Sequence, residues 1–345
     1  MRLIRPTVLL AAATAMSAPG AQAQETKNVT GPTDFISEVH ATVRAKYEYQ
    51  PETGKGRFEV RNARLSAEGF IIPTVGFKAE IDLSDEGNIR MLDAYANMRA
   101  TRSLKITAGQ MRVPFTIDAH RSPHLQYLAN RSFIAKQVGD VRDVGVAASW
   151  TGGHRTPVTL EGGIFSGSGL TQQKDYWTSG YNFSLKAQTL IALRANITLS
   201  LQKATCGQTD VIMYDAGAYW QDAHWHIEAE YLRKHYAHGA FRPVNAFDAF
   251  IAYRLTPRKA LTALSLLGRY DYMSDHSRGN SDAGGCLTLD DPERHRLTGG
   301  TTLSLGKGPA QVDLRLNYEQ YFYRKGATPK VSEQNKFVAE CVVHF

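Results

Sequence analysis

Apolar and polar side chains alternate residue by residue in segments that recur along the whole chain. In one of them Ile197, Leu199 and Leu201 alternate with Thr198 and Ser200. Successive side chains of a strand point to opposite faces, so each such segment predicts a strand with one dry and one wet side. Beyond the first residues no apolar run reaches the length that a membrane-spanning helix needs, which excludes helical spans.

The breaks between these segments alternate in length. We predict sixteen strands, at 35–49, 56–69, 74–84, 89–101, 103–113, 142–151, 156–166, 180–189, 191–204, 209–221, 224–236, 245–256, 259–274, 293–306, 310–324 and 333–345. Connections after even-numbered strands are short, whereas those after odd-numbered strands are mostly longer, and the longest is 114–141. Short turns on one side and long loops on the other are typical of transmembrane β-barrels. The expected fold is therefore all-β, an up-and-down antiparallel barrel of about sixteen strands.

Both ends of the chain indicate export to a bacterial outer membrane. Arg2 and Arg5 precede an apolar stretch, and Ala21-Gln22-Ala23 fits a cleavage site, which predicts a signal peptide at 1–23 and a single barrel domain at 24–345. At the other end the alternation runs up to Phe345. A terminal strand that ends in Phe resembles the signal read by the barrel assembly machinery, which we expect as a partner together with outer-membrane lipid.

Aromatic residues on the predicted lipid face form two groups. In the strand registers above they fall near one end or the other of their strands, as amphipathic rings do at the two membrane interfaces. The group near the short turns is Phe35, Phe77, Trp150, Trp220, Trp225, Tyr253 and Phe345. The group near the long loops is Tyr47, Tyr49, Tyr181, Tyr231, Phe247, Tyr270 and Tyr272.

Charge and cysteine content exclude some functions and leave others open. The formal net charge is +7 and falls to +5 without Arg2 and Arg5, too little and too scattered for a nucleic-acid partner. The three cysteines are too far apart for a zinc site. A disulfide between Cys206 and Cys286 is left open, and Cys341 fits an apolar outward position.

Sixteen strands enclose more space than side chains fill, so the barrel should hold an aqueous channel. The 114–141 segment lies in the most cationic part of the chain, since 99–142 holds eight Lys or Arg but only two acids. It is either a solvated outer loop or a loop folded inward as a constriction. In the second case Arg121, Arg131 and Lys136 are our candidates for contact with an anion.

Several segments between about 57 and 150 resemble one family. They are Phe77-Lys-Ala-Glu-Ile-Asp82, Leu92-Asp-Ala-Tyr95, Leu104-Lys-Ile-Thr-Ala-Gly-Gln110 with Pro114-Phe115, Ala129-Asn-Arg-Ser132 and Arg142-Asp-Val-Gly145. In these residues the chain resembles the phosphate-selective porin O and P family. The resemblance implies a homotrimeric sixteen-stranded porin whose third outer loop folds inward. It also implies passage of anions along lumen arginines and past a lysine-lined site.

Strand parity supplies candidates for the cationic lumen wall. They are Arg44, Lys46, Arg61, Arg99, Lys105, Lys186, Arg194, Arg269 and Arg315. The same face also carries acids, namely Glu80, Asp82, Asp93, Glu228, Glu230, Asp248, Asp271, Asp313 and Glu319. Some pairs, such as Arg269 with Asp271, would only brace the wall. Arg57, Arg61 and Arg64 cannot share one face without a bulge.

The expected function is passive diffusion of small polar solutes, with a preference for anions such as phosphate. A general, non-selective porin and a non-conducting surface barrel are the alternatives. An enzyme would need a catalytic or metal motif, and none is found. His224, His226, Glu228 and Glu230 share a strand face, but we interpret them as hydrophilic wall. We therefore expect no catalysis, no metal and no cofactor.

Overall fold

A computed structural model describes residues 38–345 except 118–120, 140, 154–155, 172, 193, 257–260 and 307–309. The predicted signal peptide and Phe35 lie outside the described residues. No helix in the described part of the chain has the length and apolar character needed to cross a membrane.

Sixteen strands follow one another along the chain, as predicted. They are β1 (Glu38–Gln50), β2 (Lys55–Ile72), β3 (Val75–Asp85), β4 (Asn88–Arg99), β5 (Leu104–Arg112), β6 (Arg142–Gly152), β7 (Val158–Phe165), β8 (Asn182–Ile191), β9 (Ala195–Cys206), β10 (Thr209–Gln221), β11 (Trp225–Tyr236), β12 (Val244–Leu255), β13 (Leu261–Met273), β14 (Arg294–Leu305), β15 (Gln311–Tyr323) and β16 (Lys336–His344). One short α-helix, α1 (Phe133–Gln137), lies between β5 and β6.

The strands form one closed antiparallel barrel in up-and-down order. Each strand pairs with its neighbours in sequence, and β1 pairs with β16 through a register that joins Thr42 to His344 and Tyr49 to Phe337. Closure leaves the sheet without an edge strand, which is what a sheet needs in a medium without water. The predicted fold class is confirmed.

Burial in this barrel is inverted relative to a water-soluble protein. On β9 the polar Thr198 and Ser200 are buried, while Leu199 and Leu201 are 58% and 40% exposed on the outside. The outward apolar positions include aromatic side chains at both barrel ends, such as Trp220. An apolar outer belt around a charged interior is the pattern of a barrel in lipid.

A β-bulge in β2 accounts for its arginines. Arg44 of β1 pairs with Asn62 and the next residue, Ala45, pairs with Val60, so Arg61 is the extra residue. The sequence had indicated only that arginines at these spacings cannot share a face without such a bulge. The bulge lets Arg57 and Arg64 stand on the same face although their spacing is odd.

A second irregularity explains part of the family motif. Leu92 is the extra residue where β4 pairs with β3, and the Gln110 side chain donates to the carbonyls of Met91 and Leu92, both at 2.7 Å. Gly109 precedes it with a φ of +128°, where a Cβ would lie 2.4 Å from the Ala94 carbonyl oxygen. The Gly-Gln pair therefore satisfies the buried backbone of a bulge.

Candidate functional site

The connection between β5 and β6, residues 113–141, folds into the barrel, and we call it the inward loop. It leaves the wall at β5 and contacts the opposite wall, from β11 through β16 to β1. Its apolar residues Phe115 and Ile134 are fully buried. The inward-folded third outer loop is thereby confirmed.

Three wall arginines hold carbonyl groups of the inward loop. Arg44 donates to the Ala129 carbonyl at 2.8 Å, and Arg315 donates to the His124 carbonyl at 2.9 Å. Arg269 donates to the Asn130 carbonyl at 2.9 Å. These guanidinium groups satisfy loop backbone that no strand pairs with.

Wall acids and amides hold the loop N–H groups in turn. Glu230 accepts from the Ile117 N–H at 2.7 Å, and Asp271 accepts from the Phe133 N–H at 3.3 Å. The Asn317 side chain accepts from the Ala129 N–H at 2.9 Å. Two of the acids noted on the lumen face, Glu230 and Asp271, thus anchor the loop backbone.

A cation–π contact secures the helix of the inward loop. The Phe133 ring in α1 lies 4.5 Å from the Arg294 guanidinium and 4.6 Å from that of Arg296. All three side chains are buried, where such contacts are strongest. The loop therefore has a fixed position against β14.

An open cavity of about 170 Å³ remains between the inward loop and the wall from β3 to β7. Its lining residues are Lys78, Asp93, Tyr95, Lys105, Thr107, Met111, Arg112, Pro114, Ser122, Ala147, Ala148, Ser149 and Glu161. The inward loop thus divides the lumen into a filled side and an open side.

Most of the predicted wall cations are paired with neighbours. Lys46 lies 2.8 Å from Glu48 and 3.2 Å from Glu59, and Arg315 lies 3.0 Å from Glu340. The remaining pairs are Arg44 with Glu340 at 2.7 Å, Arg269 with Asp271 at 2.9 Å and Lys186 with Glu161 at 4.0 Å. The bracing role expected for the Arg269–Asp271 pair agrees with this geometry.

The other four wall candidates lie in different surroundings. Arg99 stacks on Phe70 at 4.9 Å, near the short-turn end. Arg61 occupies the β2 bulge. Lys105 is exposed and lines the open cavity. The wall placement of Arg194 is wrong: β9 begins at Ala195, four residues later than predicted, so Arg194 lies in the turn before it.

None of the three loop candidates is among the described residues that line the open cavity. The Arg121 guanidinium bonds both carboxylate oxygens of Glu228, at 2.6 and 3.2 Å. Arg131 lines a cavity of about 30 Å³ between the loop and the wall. Lys136 lies 2.7 Å from Glu333. Their part in an anion pathway stays a prediction.

Two cavity cations, Lys78 and Arg112, were missed by the sequence interpretation. Lys78 precedes Glu80 by two residues on the lumen face of β3, so parity could have found it. Arg112 could not be found in this way, because its parity is opposite to that of Lys105 and Thr107, which line the same cavity.

The histidines and cysteines lie in several separate places among the described residues. His226 bonds Glu228 at 3.1 Å. Glu38, His40 and Glu68 have ligand atoms within 4.8 Å of one another at the short-turn end, but Glu38 and His40 are exposed. Cys206 and Cys286 are free thiols.

A closed sixteen-stranded barrel with an apolar outer belt, a charged interior and an inward loop defines an outer-membrane porin. The model of the phosphate-selective porin O and P family matches residues 37–191. The resemblance seen in the sequence is confirmed over these residues.

Solved structures share the fold at low sequence identity. The outer-membrane channel DcaP of Acinetobacter baumannii is 13% identical, with 89% of this chain and 96% of that chain covered and a TM-score of 0.59. An anion-selective porin from Comamonas acidovorans is 11% identical, with 89% and 98% covered and a TM-score of 0.59. The trimer form of OmpT of Vibrio cholerae is 10% identical, with 89% and 98% covered and a TM-score of 0.57. No curated protein sequence matches the chain.

Proposed function

We propose that this outer-membrane porin prefers anions and that solutes pass on the open side of the inward loop, along β3 to β7. The observation that carries the proposal is the one-sided seating of the loop. Most of the hydrogen bonds to the loop backbone described above come from the wall from β11 to β1, whereas the wall from β3 to β7 lines the open cavity and adds one such bond, from Arg112 to the Arg121 carbonyl.

The charges at this cavity favour anions. Lys78, Lys105 and Arg112 line it, against Asp93 and Glu161. A solute that enters a narrow, poorly hydrated passage loses water, and positive groups replace that water for an anion. The anion selectivity of the structurally similar Comamonas porin supports the same preference.

The predicted loop cations act indirectly in this proposal. Arg121 and Lys136 each have a carboxylate partner, and Arg131 lies on the wall side of the loop. We assign them to holding the inward loop in place. In this proposal Arg44, Lys46, Arg269 and Arg315 likewise brace the lumen.

Reversal potentials in a planar bilayer under a KCl gradient test the preference. We expect a potential that indicates higher permeability for Cl⁻ than for K⁺. A preference for K⁺ would contradict the anion proposal and leave a cation-preferring porin, and absence of conductance would favour the non-conducting surface barrel.

We also propose a homotrimer that is inserted by the barrel assembly machinery through Phe345, with conduction and no catalysis as its activity. The OmpT structure in its trimer form and the family resemblance support the oligomer. Mass measurement of the detergent-extracted protein tests it, since a monomeric mass would contradict it. Removal of Phe345 should reduce the amount of barrel in the outer membrane.

A further inference from the structure

The cations at the open cavity differ in whether they already form an ion pair or a hydrogen bond with a neighbouring residue. Lys78 lies 3.4 Å from Glu80 and 3.7 Å from Asp93. Arg112 donates to the Arg121 carbonyl at 3.1 Å. Lys105 is exposed and has no ion pair or hydrogen bond with a residue in the described part of the chain. It is therefore the cavity cation whose charge a solute meets uncompensated.

Hydroxyl groups surround this ammonium group. Thr107, Ser122 and Ser149 line the same cavity, and their hydroxyls bond no residue that the structure describes. Each hydroxyl can donate or accept a hydrogen bond. The surroundings of Lys105 thus suit a partner that is itself rich in hydroxyl groups.

The strand register places Lys105, Ser149 and Glu161 in one row. Lys105 of β5 pairs with Ser149 of β6, which pairs with Glu161 of β7. Two strand spacings separate the outer members of the row, about 10 Å in all. One end of the row is positive, the middle is neutral and polar, and the far end is a carboxylate.

Both cavity carboxylates already have cationic partners. Arg142 donates to Asp93 at 2.7 Å, and the Lys186 ammonium lies 4.0 Å from Glu161. These carboxylates still accept hydrogen bonds from the hydroxyls of a solute. Hydrogen phosphate carries a single hydroxyl, so it uses fewer of the polar partners along this row than a solute with several hydroxyls does.

On the basis of the proposed function, we infer that the open cavity is a subsite for small, singly charged organic anions that carry hydroxyl groups, such as hydroxy-carboxylates and sugar acids. Lys105 binds the carboxylate of the solute. The hydroxyls of the solute lie along Ser149 toward Glu161. A phosphate dianion is a poorer ligand for this subsite.

Block of the chloride current in planar bilayers tests the inference with three probes: glycerate, propanoate and hydrogen phosphate. Glycerate and propanoate share their carbon count and charge and differ in hydroxyls. We expect glycerate to block at concentrations on the order of tenfold lower than propanoate, since it adds hydrogen bonds at the site. Phosphate should be weaker than glycerate.

Variants locate the subsite. Lys105→Gln should weaken block by both carboxylates on the order of tenfold, because it removes a charge-assisted hydrogen bond. Ser149→Ala should reduce the difference between the blocking concentrations of glycerate and propanoate. Arg102→Gln is the matched control, because it removes an exposed positive charge in the turn just before Lys105, outside the cavity lining.

Three outcomes would overturn the inference. Phosphate could block at a lower concentration than glycerate, propanoate could block at the same concentration as glycerate, or Lys105→Gln could behave like Arg102→Gln. If chloride preference persists in these cases, the proposed function stands and the subsite alone fails. A potassium preference in the unmodified protein would instead remove the anion proposal itself.

Discussion

Arg121 is the clearest example of a lumen cation whose surroundings define its role. Its side chain is 10% exposed and that of its partner Glu228 is 7% exposed. A buried pair of this kind stabilises mainly by matching two desolvated charges, so the loss of one partner costs far more than the loss of both.

We predict that Arg121→Ala lowers the thermal midpoint of the barrel in detergent and increases current noise, since it leaves the Glu228 carboxylate buried. The cost should be about 3 kcal/mol or more. Glu228→Gln added to Arg121→Ala should recover most of the loss, with anion preference unchanged in the double variant. A change in preference without any change in stability would assign Arg121 to solute contact.

The fold disfavours the protonation of His124 in the inward loop. Its ring stacks on His344 with 4.5 Å between centroids, and its Nδ1 lies 3.5 Å from the Thr42 hydroxyl. Burial, followed by the neighbouring His344 and Arg315, lowers the pKa of His124 from 6.5 to about 3. The seated loop therefore contains a neutral imidazole at neutral pH.

The pH dependence follows from this depressed pKa. Above pH 6.5 the ring is neutral in both states and the full contribution to stability is present. As the pH falls from 6.5 toward 3, an unseated loop binds more protons and this contribution is lost. We predict that His124→Phe reduces the fall in thermal midpoint between about pH 7.5 and pH 5. An equal acid response in both proteins would show that other groups are responsible.

At the scale of single residues the sequence predicts faces but not partners. Parity placed Arg44, Arg269 and Arg315 on the inner face, because side chains alternate along a strand. Their partners are loop carbonyls that lie far away in sequence. No local pattern contains that information, so anchoring residues and solute-binding residues look alike in the sequence.

Among the strands, β2 carries the most informative irregularity. Removal of Arg61 would join Val60, which faces outward, to Asn62, which faces inward, and restore regular alternation. Removal of Leu65 would instead shift the neighbouring residues and turn Arg64 toward lipid, a costly place for a charge.

We therefore predict that a deletion of Arg61 still yields a folded barrel, whereas a deletion of Leu65 does not. The change in gel mobility of the detergent-solubilised protein on heating reports whether the barrel is folded. If both deletions fold equally well, the bulge does not fix the register of β2.

Strand bounds were largely predictable because the turns interrupt a strict alternation. The exceptions have local causes. The start of β9 was placed too early because the apolar alternation of the sequence continues upstream of Ala195, where the structure has a turn that includes Arg194. Arg112 was missed because its parity on β5 is opposite to that of Lys105 and Thr107, although it lines the same cavity.

On the scale of the whole barrel, the solute path should lie on one side of the inward loop. Thr107 lines the open cavity, whereas Thr302 donates to the Tyr127 carbonyl of the loop at 3.1 Å and is 8% exposed. Two positions on the same inner surface of the barrel thus differ in how accessible they are to solutes.

Cysteine modification tests this difference. In a background with Cys206, Cys286 and Cys341 replaced by serine, a sulfonate-bearing thiol reagent should reduce the conductance of Thr107→Cys strongly and that of Thr302→Cys little. Strong block through Thr302→Cys alone would place the path on the other side of the loop.

The barrel and its inward loop were predictable from the alternation of short and long connections and from the family resemblance. The side of the barrel wall against which the loop packs was not. The side of the wall on which the loop packs depends on contacts such as those of Glu230 with Ile117 and of Asp271 with Phe133. Those contacts form only when the strands have been brought together, so the position of the open cavity requires coordinates.

The pairing of β1 with β16 has a kinetic consequence. It joins groups as distant as Arg44 and Glu340, which are 296 positions apart in the chain. Contacts between such distant residues form slowly, because a long disordered stretch must first be ordered. Until that last seam closes, two bare strand edges are open to pairing with other chains. The nascent polypeptide therefore needs an escort that shields both edges from aggregation between synthesis and closure.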